Sequence, residues 1–210
     1  MNIIKAIMQL CMVYLLMSSS VFAGEYQGAM QSHPSQGPIT TVSSTNAKVF
    51  TYKEGVALTL QTKKLTPGHA YTLWFAVMNK PEKCANAPEF CTSTDVLKNT
   101  KVTQSDVVYA GATIADENGK AFFNSFIESG EAAGFWFGRG LTHPLGAEIH
   151  LVINDHGPVL FELMHSMLTS YRGGCTDESL PEAFPSTAKT DGTPGPNSCR
   201  LVQMVRFKQH

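Results

Sequence analysis

The sequence predicts a mainly β protein: a single antiparallel β-sandwich with one packed helix. Three observations carry this. About seven short segments alternate apolar and polar residues and are separated by turn residues. No strand–helix–strand alternation is visible, so a parallel sheet is not expected. Apolar residues spaced i, i+3, i+4, i+7 and i+8 occur as one clear run, late in the chain.

In chain order, residues 1–23 read as a signal peptide. Lys5 supplies a positive start, residues 7–17 are nearly all apolar, and small residues lead to a Val21-x-Ala23 cleavage site. The apolar run is too short to span a bilayer and no second run of about 18 apolar residues follows. The expectation is an exported protein, periplasmic or extracellular, with no membrane span, beginning near Gly24. Residues 24–47 are polar, carry Pro34 and Pro38, and read as a flexible amino-terminal lead-in. One β-sandwich domain is expected over 48–210.

Residues 48–52 and 56–61 read as strands, the second alternating Val56, Leu58 and Leu60. After the turn Leu65-Thr66-Pro67-Gly68, the strongest strand runs from His69 to Met78. Tyr71, Leu73, Phe75 and Val77 share one face, while Trp74, Ala76 and Met78 lie on the other. With both faces apolar, it is predicted to be central and covered on each side. Residues 79–97 form an irregular excursion. Segments 107–115 and 120–127, joined by Asp116-Glu117-Asn118-Gly119, read as a paired hairpin, with Asp106 and Asp116 as turn residues. Residues 147–154 form a strand. Leu160, Leu163, Met164, Met167, Leu168 and Tyr171 describe an amphipathic helix over about 160–171, stopped by Gly173-Gly174. A loop at 176–198 and a strand at 201–207 complete the chain.

The net charge is −1 and no run of like charge occurs, which argues against nucleic acid or an anionic membrane as partner. Of five cysteines, four follow residue 23: Cys84, Cys91, Cys175 and Cys199. An even number in an exported chain reads as disulfides, with three possible pairings. Cys84–Cys91 and Cys175–Cys199 are favoured because each pair brackets a loop rich in Pro, Asn or Gly. These spacings do not suit a structural zinc site.

The segment 146–158 is the best candidate for chemistry. Glu148 and His150 share a strand face, roughly 6.5–7 Å apart at Cα, and Asp155 and His156 follow at the strand end. With His69 or His143 these would supply the ligands of a transition metal such as zinc, copper or iron, or grip a small ligand. The alternative is structural: His150 bonded to Glu148, and Asp155 and His156 capping the helix. A second candidate is the Gly-rich loop 129–146, with Phe135, Trp136, Phe137 and Arg139 as contact residues for a protein or small-molecule partner. Adjacent residues on an extended segment face opposite ways, so Trp136 or the Phe135/Phe137 pair is expected to be partly exposed. No Gly-x-Ser-x-Gly elbow, His-Glu-x-x-His or phosphate-cradling loop is present, and no catalytic residue is nominated. The leading reading is a non-enzymatic binding or structural module. The metal- or small-ligand binder using Glu148, His150 and His156 is the alternative, and an enzyme of unrecognised type the third.

Leu65-Thr-Pro-Gly-His-Ala-Tyr-Thr-Leu-Trp74, Gly146-Ala-Glu-Ile-His-Leu-Val152, His156-Gly-Pro158 and Gly173-Gly-Cys175 together resemble a group of exported bacterial proteins of uncharacterised activity. The Gly-x-Ala-x-Phe and strand-His patterns are also similar to chordin-type β-sandwich domains. These resemblances imply export and a sandwich architecture, and they supply no site residue.

Overall fold

The computed structural model describes residues 22–130 and 133–209; residues 1–21, most of the segment read as a signal peptide, lie outside the described residues. Nine strands run β1 (Phe22–Gly28), β2 (Gln31–Ser32), β3 (Asn46–Tyr52), β4 (Gly55–Thr62), β5 (His69–Met78), β6 (Ser105–Ile114), β7 (Ala121–Glu128), β8 (Glu148–Pro158) and β9 (Arg200–Phe207). They form two antiparallel sheets, a four-stranded one ordered β1-β3-β4-β7 and a five-stranded one ordered β2-β9-β8-β5-β6. The fold is the expected β-sandwich. Among the described residues four short α-helices lie in its connections: α1 (Ser93–Leu97), α2 (Thr100–Thr103), α3 (Met164–Thr169) and α4 (Ser186–Lys189). No helix among the described residues is long and apolar enough to cross a membrane.

Period-two alternation builds the space between the sheets. Val49, Val56, Leu58, Leu60, Leu73, Phe75, Val77, Phe123, Ile149, Leu151, Ile153, Val205 and Phe207 are all buried there. Each fully buried Leu, Ile or Phe contributes roughly 1.5–3 kcal/mol relative to exposure. At the β3–β4 hairpin, a Cβ on Gly55 would collide with the Ile127 carbonyl oxygen of β7, so the close strand approach requires glycine there.

β5 lies between β8 and β6, and every residue from Ala70 to Met78 is buried. Its second face, carrying Trp74, Ala76 and Met78, belongs to a separate apolar cluster on the outer side of the five-stranded sheet. Cys84, Cys91, Val96, Val107, Trp136, Tyr171 and Ala188 complete that cluster, and both disulfides, Cys84–Cys91 and Cys175–Cys199, are formed in the pairing expected.

Four expectations are corrected. Residues 24–47, expected as a flexible lead-in, are tied into both sheets: β1 pairs with β3, β2 with β9, and Met30 is fully buried. Its polar composition hid an edge strand with one half-buried face. The hairpin expected of 107–115 and 120–127 does not form, because β6 pairs with β5 and β7 with β4, in different sheets. The Asp116–Gly119 turn does form, with Asp116 Oδ1 accepting from the Asn118 and Lys120 amides, but it carries the chain across the sandwich. A turn motif fixes the reversal and not the sheet that receives the next strand. Third, the helix expected over 160–171 is a 3₁₀ turn (Phe161–Leu163) followed by the six-residue α3. Fourth, Phe135 and Trp136 are both buried, at 9% and 7% exposure, and Phe137 is half-buried. The aromatics do alternate sides, but the loop runs between two cores: Phe135 joins the inter-sheet core and Trp136 the outer cluster.

Candidate binding cavity

The outer face of β5, β8 and β9 presents two cross-strand rows. Trp74, Val152 and Met204 are in register, as are Ala76, His150 and Arg206. These six residues floor a cavity of about 770 Å³, within the usual range for small-molecule sites. Its walls come from the irregular segments: Val96 and Leu97 from α1, Val107 from β6, Trp136 from the Gly-rich loop, Tyr171 after α3, and Phe184 before α4.

Ring-on-ring contacts set the wall. Trp74 packs on Trp136 at 5.1 Å and edge-on to Tyr171 at 5.2 Å, while Phe184 meets Trp136 at 5.1 Å and Tyr171 at 5.0 Å. Tilted and edge-on pairs at these distances add attraction beyond area burial, about 0.5–1.5 kcal/mol each. Tyr171 is 2% exposed, and desolvation raises its hydroxyl far above the ordinary phenol value, so it stays protonated.

Buried carboxylates pin the loops. Asp106, expected as a turn residue, is fully buried. Its Oδ1 accepts from the Val107 and Phe137 amides and its Oδ2 from the Arg139 and Gly140 amides. Asp95 accepts from the Ala85 and Thr92 amides and the Thr92 hydroxyl, closing a capping box on α1. Backbone groups that have left the sheet ladders are thereby satisfied.

Glu148 and His150 meet as the strand spacing predicts. The His150 Nε2–H donates to Glu148 Oε1 at 2.7 Å, and the same oxygen accepts the Cys91 amide at 2.7 Å. Glu148 Oε2 has no hydrogen-bond partner but lies 3.6 Å from Lys208 Nζ. Burial holds His150 below the ordinary imidazole value, against the raising effect of Glu148, with Arg206 pushing the same way as burial. The ring is therefore neutral at pH 7. With its proton on Nε2, Nδ1 offers a lone pair, and no hydrogen bond to Nδ1 exists among the described residues. His150 lines the cavity, so this nitrogen can accept a hydrogen bond from a ligand or act as a base.

The other candidates lie elsewhere. His156 is six residues farther along β8, about 20 Å for an extended strand. It is fully buried, donates from Nδ1 to the Gly173 carbonyl at 2.7 Å, and accepts at Nε2 from the Thr72 hydroxyl at 2.8 Å. Thr72 in turn accepts the Trp74 indole N–H. Burial lowers His156 to about 4; it is a neutral structural link. The Cys175 and Cys199 sulfurs beside it form a three-residue group with its ring, the one such cluster among the described residues. They are bonded to each other, so neither is a thiolate ligand. His69 Nδ1 meets Asp155 Oδ1 at 2.9 Å, and Asp155 also accepts the Gly157 amide. Asp155 holds the end of β8 and caps no helix. His143 packs against Gly146, with Nδ1 3.4 Å from the Asn79 carbonyl. Glu148 and His150 thus form one pair, while His69, His143 and His156 occupy three separate places. Arg139 is half-buried with one guanidinium nitrogen, NH1, lacking a partner.

Sequence reasoning missed Arg206, Tyr171 and Phe184. Arg206 alternates with the core-facing Val205 and Phe207 on β9, so its side was readable once the strand was assigned. Phe184 lies in a loop with no periodicity to mark it. Comparison with protein-family models, curated proteins and solved structures gives no match for this chain.

Proposed function

We propose that the protein is an exported, disulfide-stabilised, non-enzymatic binding protein whose outer-face cavity takes a small, largely apolar molecule. The observation that carries this reading is the cavity itself: about 770 Å³ of space lined by Trp74, Trp136, Tyr171 and Phe184. The apolar lining that still meets water is unfavourable at about 25 cal/mol per Å², and an apolar ligand covers it. The walls are pinned by two disulfides and by Asp106 and Asp95, so little conformational entropy is lost on binding.

Export is supported by the amino-terminal segment and by disulfides, which persist in oxidising compartments. Cleavage after Ala23 leaves the pairing of Gly24–Gly28 with β3 available. Mass spectrometry of the mature protein tests it: a chain beginning at Gly24 is expected, and an intact amino terminus in the cytoplasm counts against it.

Binding is tested with N-phenyl-1-naphthylamine, a neutral apolar probe, read through the two tryptophans, Trp74 and Trp136, both of which line the cavity. Saturable quenching is expected, weakened at least about tenfold in Val152→Phe, which fills the floor. Absence of saturable binding overturns the reading.

A further inference from the structure

We propose that the cavity selects an organic anion, an apolar body bearing a carboxylate that pairs with Arg206. This rests on the binding reading above and deepens it. Among the described residues lining the cavity, the charged ones are Arg200 and Arg206, with no Asp or Glu. The whole chain has a net charge of −1, so this cationic lining is not a reflection of composition. Arg200 already has a carboxylate nearby, Asp155 at 3.8 Å.

Arg206 has none. Its guanidinium stacks over Phe90, 4.5 Å from the ring centroid, and no ion pair or hydrogen bond engages it among the described residues. Glu148, two positions along the neighbouring strand from His150, is committed to His150, Cys91 and Lys208. A half-buried guanidinium held flat on an aromatic ring, beside an apolar cavity, is a fork positioned for a planar carboxylate. The apolar surroundings lower the local dielectric and strengthen that attraction.

His150 adds a second point of recognition. It faces Arg206 across the β8–β9 register, and its free Nδ1 accepts rather than donates. The ligand's second polar group is accordingly a donor, a hydroxyl or an amine, near the anionic end.

The experiment compares 2-naphthoate with its neutral methyl ester, in the wild type, Arg206→Gln and Arg200→Gln. Both probes are expected to bind the wild type, with naphthoate roughly tenfold tighter at low salt and the advantage shrinking as salt screens the pair. Arg206→Gln should abolish the preference, so that naphthoate and its ester bind with equal affinity, and an unchanged circular-dichroism spectrum shows that the variant is folded. Equal affinities in the wild type, or a preference that survives Arg206→Gln or vanishes in Arg200→Gln instead, overturn the anion assignment while the cavity reading stands. Failure of both probes to bind removes the cavity reading and this inference together.

Discussion

The two sides of the five-stranded sheet bury apolar residues by different means. On the inner side, alternating strand residues from both sheets interdigitate, and nearly every contact is apolar. On the outer side the cover consists of loops and short helices, held by two disulfides, the buried carboxylates Asp106 and Asp95, and the Trp74–Thr72–His156 chain. The cavity of about 770 Å³ lies on the outer side. Strands supply flat, repetitive surfaces that close upon one another. Irregular segments cannot do so, and need covalent and polar ties to stand over a sheet while enclosing space.

If that division is right, the largest loss comes from the inner side. Leu151→Ala should cost about 2–5 kcal/mol in urea unfolding, because Leu151 is fully buried between the sheets. A cost under 1 kcal/mol would mean that the inner side is no better packed than the outer.

Removing the Cys175–Cys199 bridge by a double Ser substitution should cost about 2–4 kcal/mol. It should also loosen the outer cover selectively. Hydrogen exchange is expected to accelerate in residues 164–199 while β4, β5 and β8 keep their protection. Uniform acceleration through both sheets would show that the two sides unfold as one unit.

Protonation probes the same cover. Burial lowers His156 to about 4 in the folded protein, against about 6.5 for an ordinary imidazole. Its folded pKa is depressed, so between these values the unfolded chain binds the extra proton. Stability therefore falls as pH drops from about 6.5 through 4, by up to about 3 kcal/mol from this residue. His150, shifted down as well, acts in the same direction. Urea midpoints measured at pH 7 and pH 4.5 should differ less in His156→Gln than in the wild type; an unchanged difference would place the acid sensitivity elsewhere.

The inner side was legible in the sequence and the outer side mostly was not. Val56, Leu58 and Leu60, or Ile149, Leu151 and Ile153, declare their face by period two. The doubly apolar β5 announced that something covers its second face, and the cysteine spacing indicated where the cover is stapled. Which residues form the cover was hidden. With a single core, Trp136 or the Phe135/Phe137 pair is expected to be partly exposed, and Asp106 reads as a turn residue because three of its four amide partners lie in a loop distant in sequence. Glu148 and His150 were paired correctly from strand spacing. His156, six residues farther along the same strand, belongs to the cover because the length of β8 carries it to the other end of the sheet.

The smallest effect expected tests the segment where sequence and structure differ most finely. The run from Leu160 to Tyr171 has the spacing of one continuous helix, which would bury all six apolar residues. The chain instead makes a 3₁₀ turn, with three residues per turn, before α3 begins at Met164, so the apolar stripe loses phase at the junction. Phe161 is 85% exposed and Met164 36%, while Met167 is fully buried. After Thr169 the backbone turns extended at Ser170, with φ −141° and ψ 166°, and this delivers Tyr171 to the aromatic wall. Met164→Ala should therefore cost no more than about 0.5 kcal/mol, the smallest loss of the series, against about 2 kcal/mol for Met167→Ala, the low end for a buried side chain. Equal costs for the two would mean that the helix is continuous in solution, with its whole stripe docked on the sheet and Tyr171 carried on the helix rather than delivered to the cavity by an extended residue.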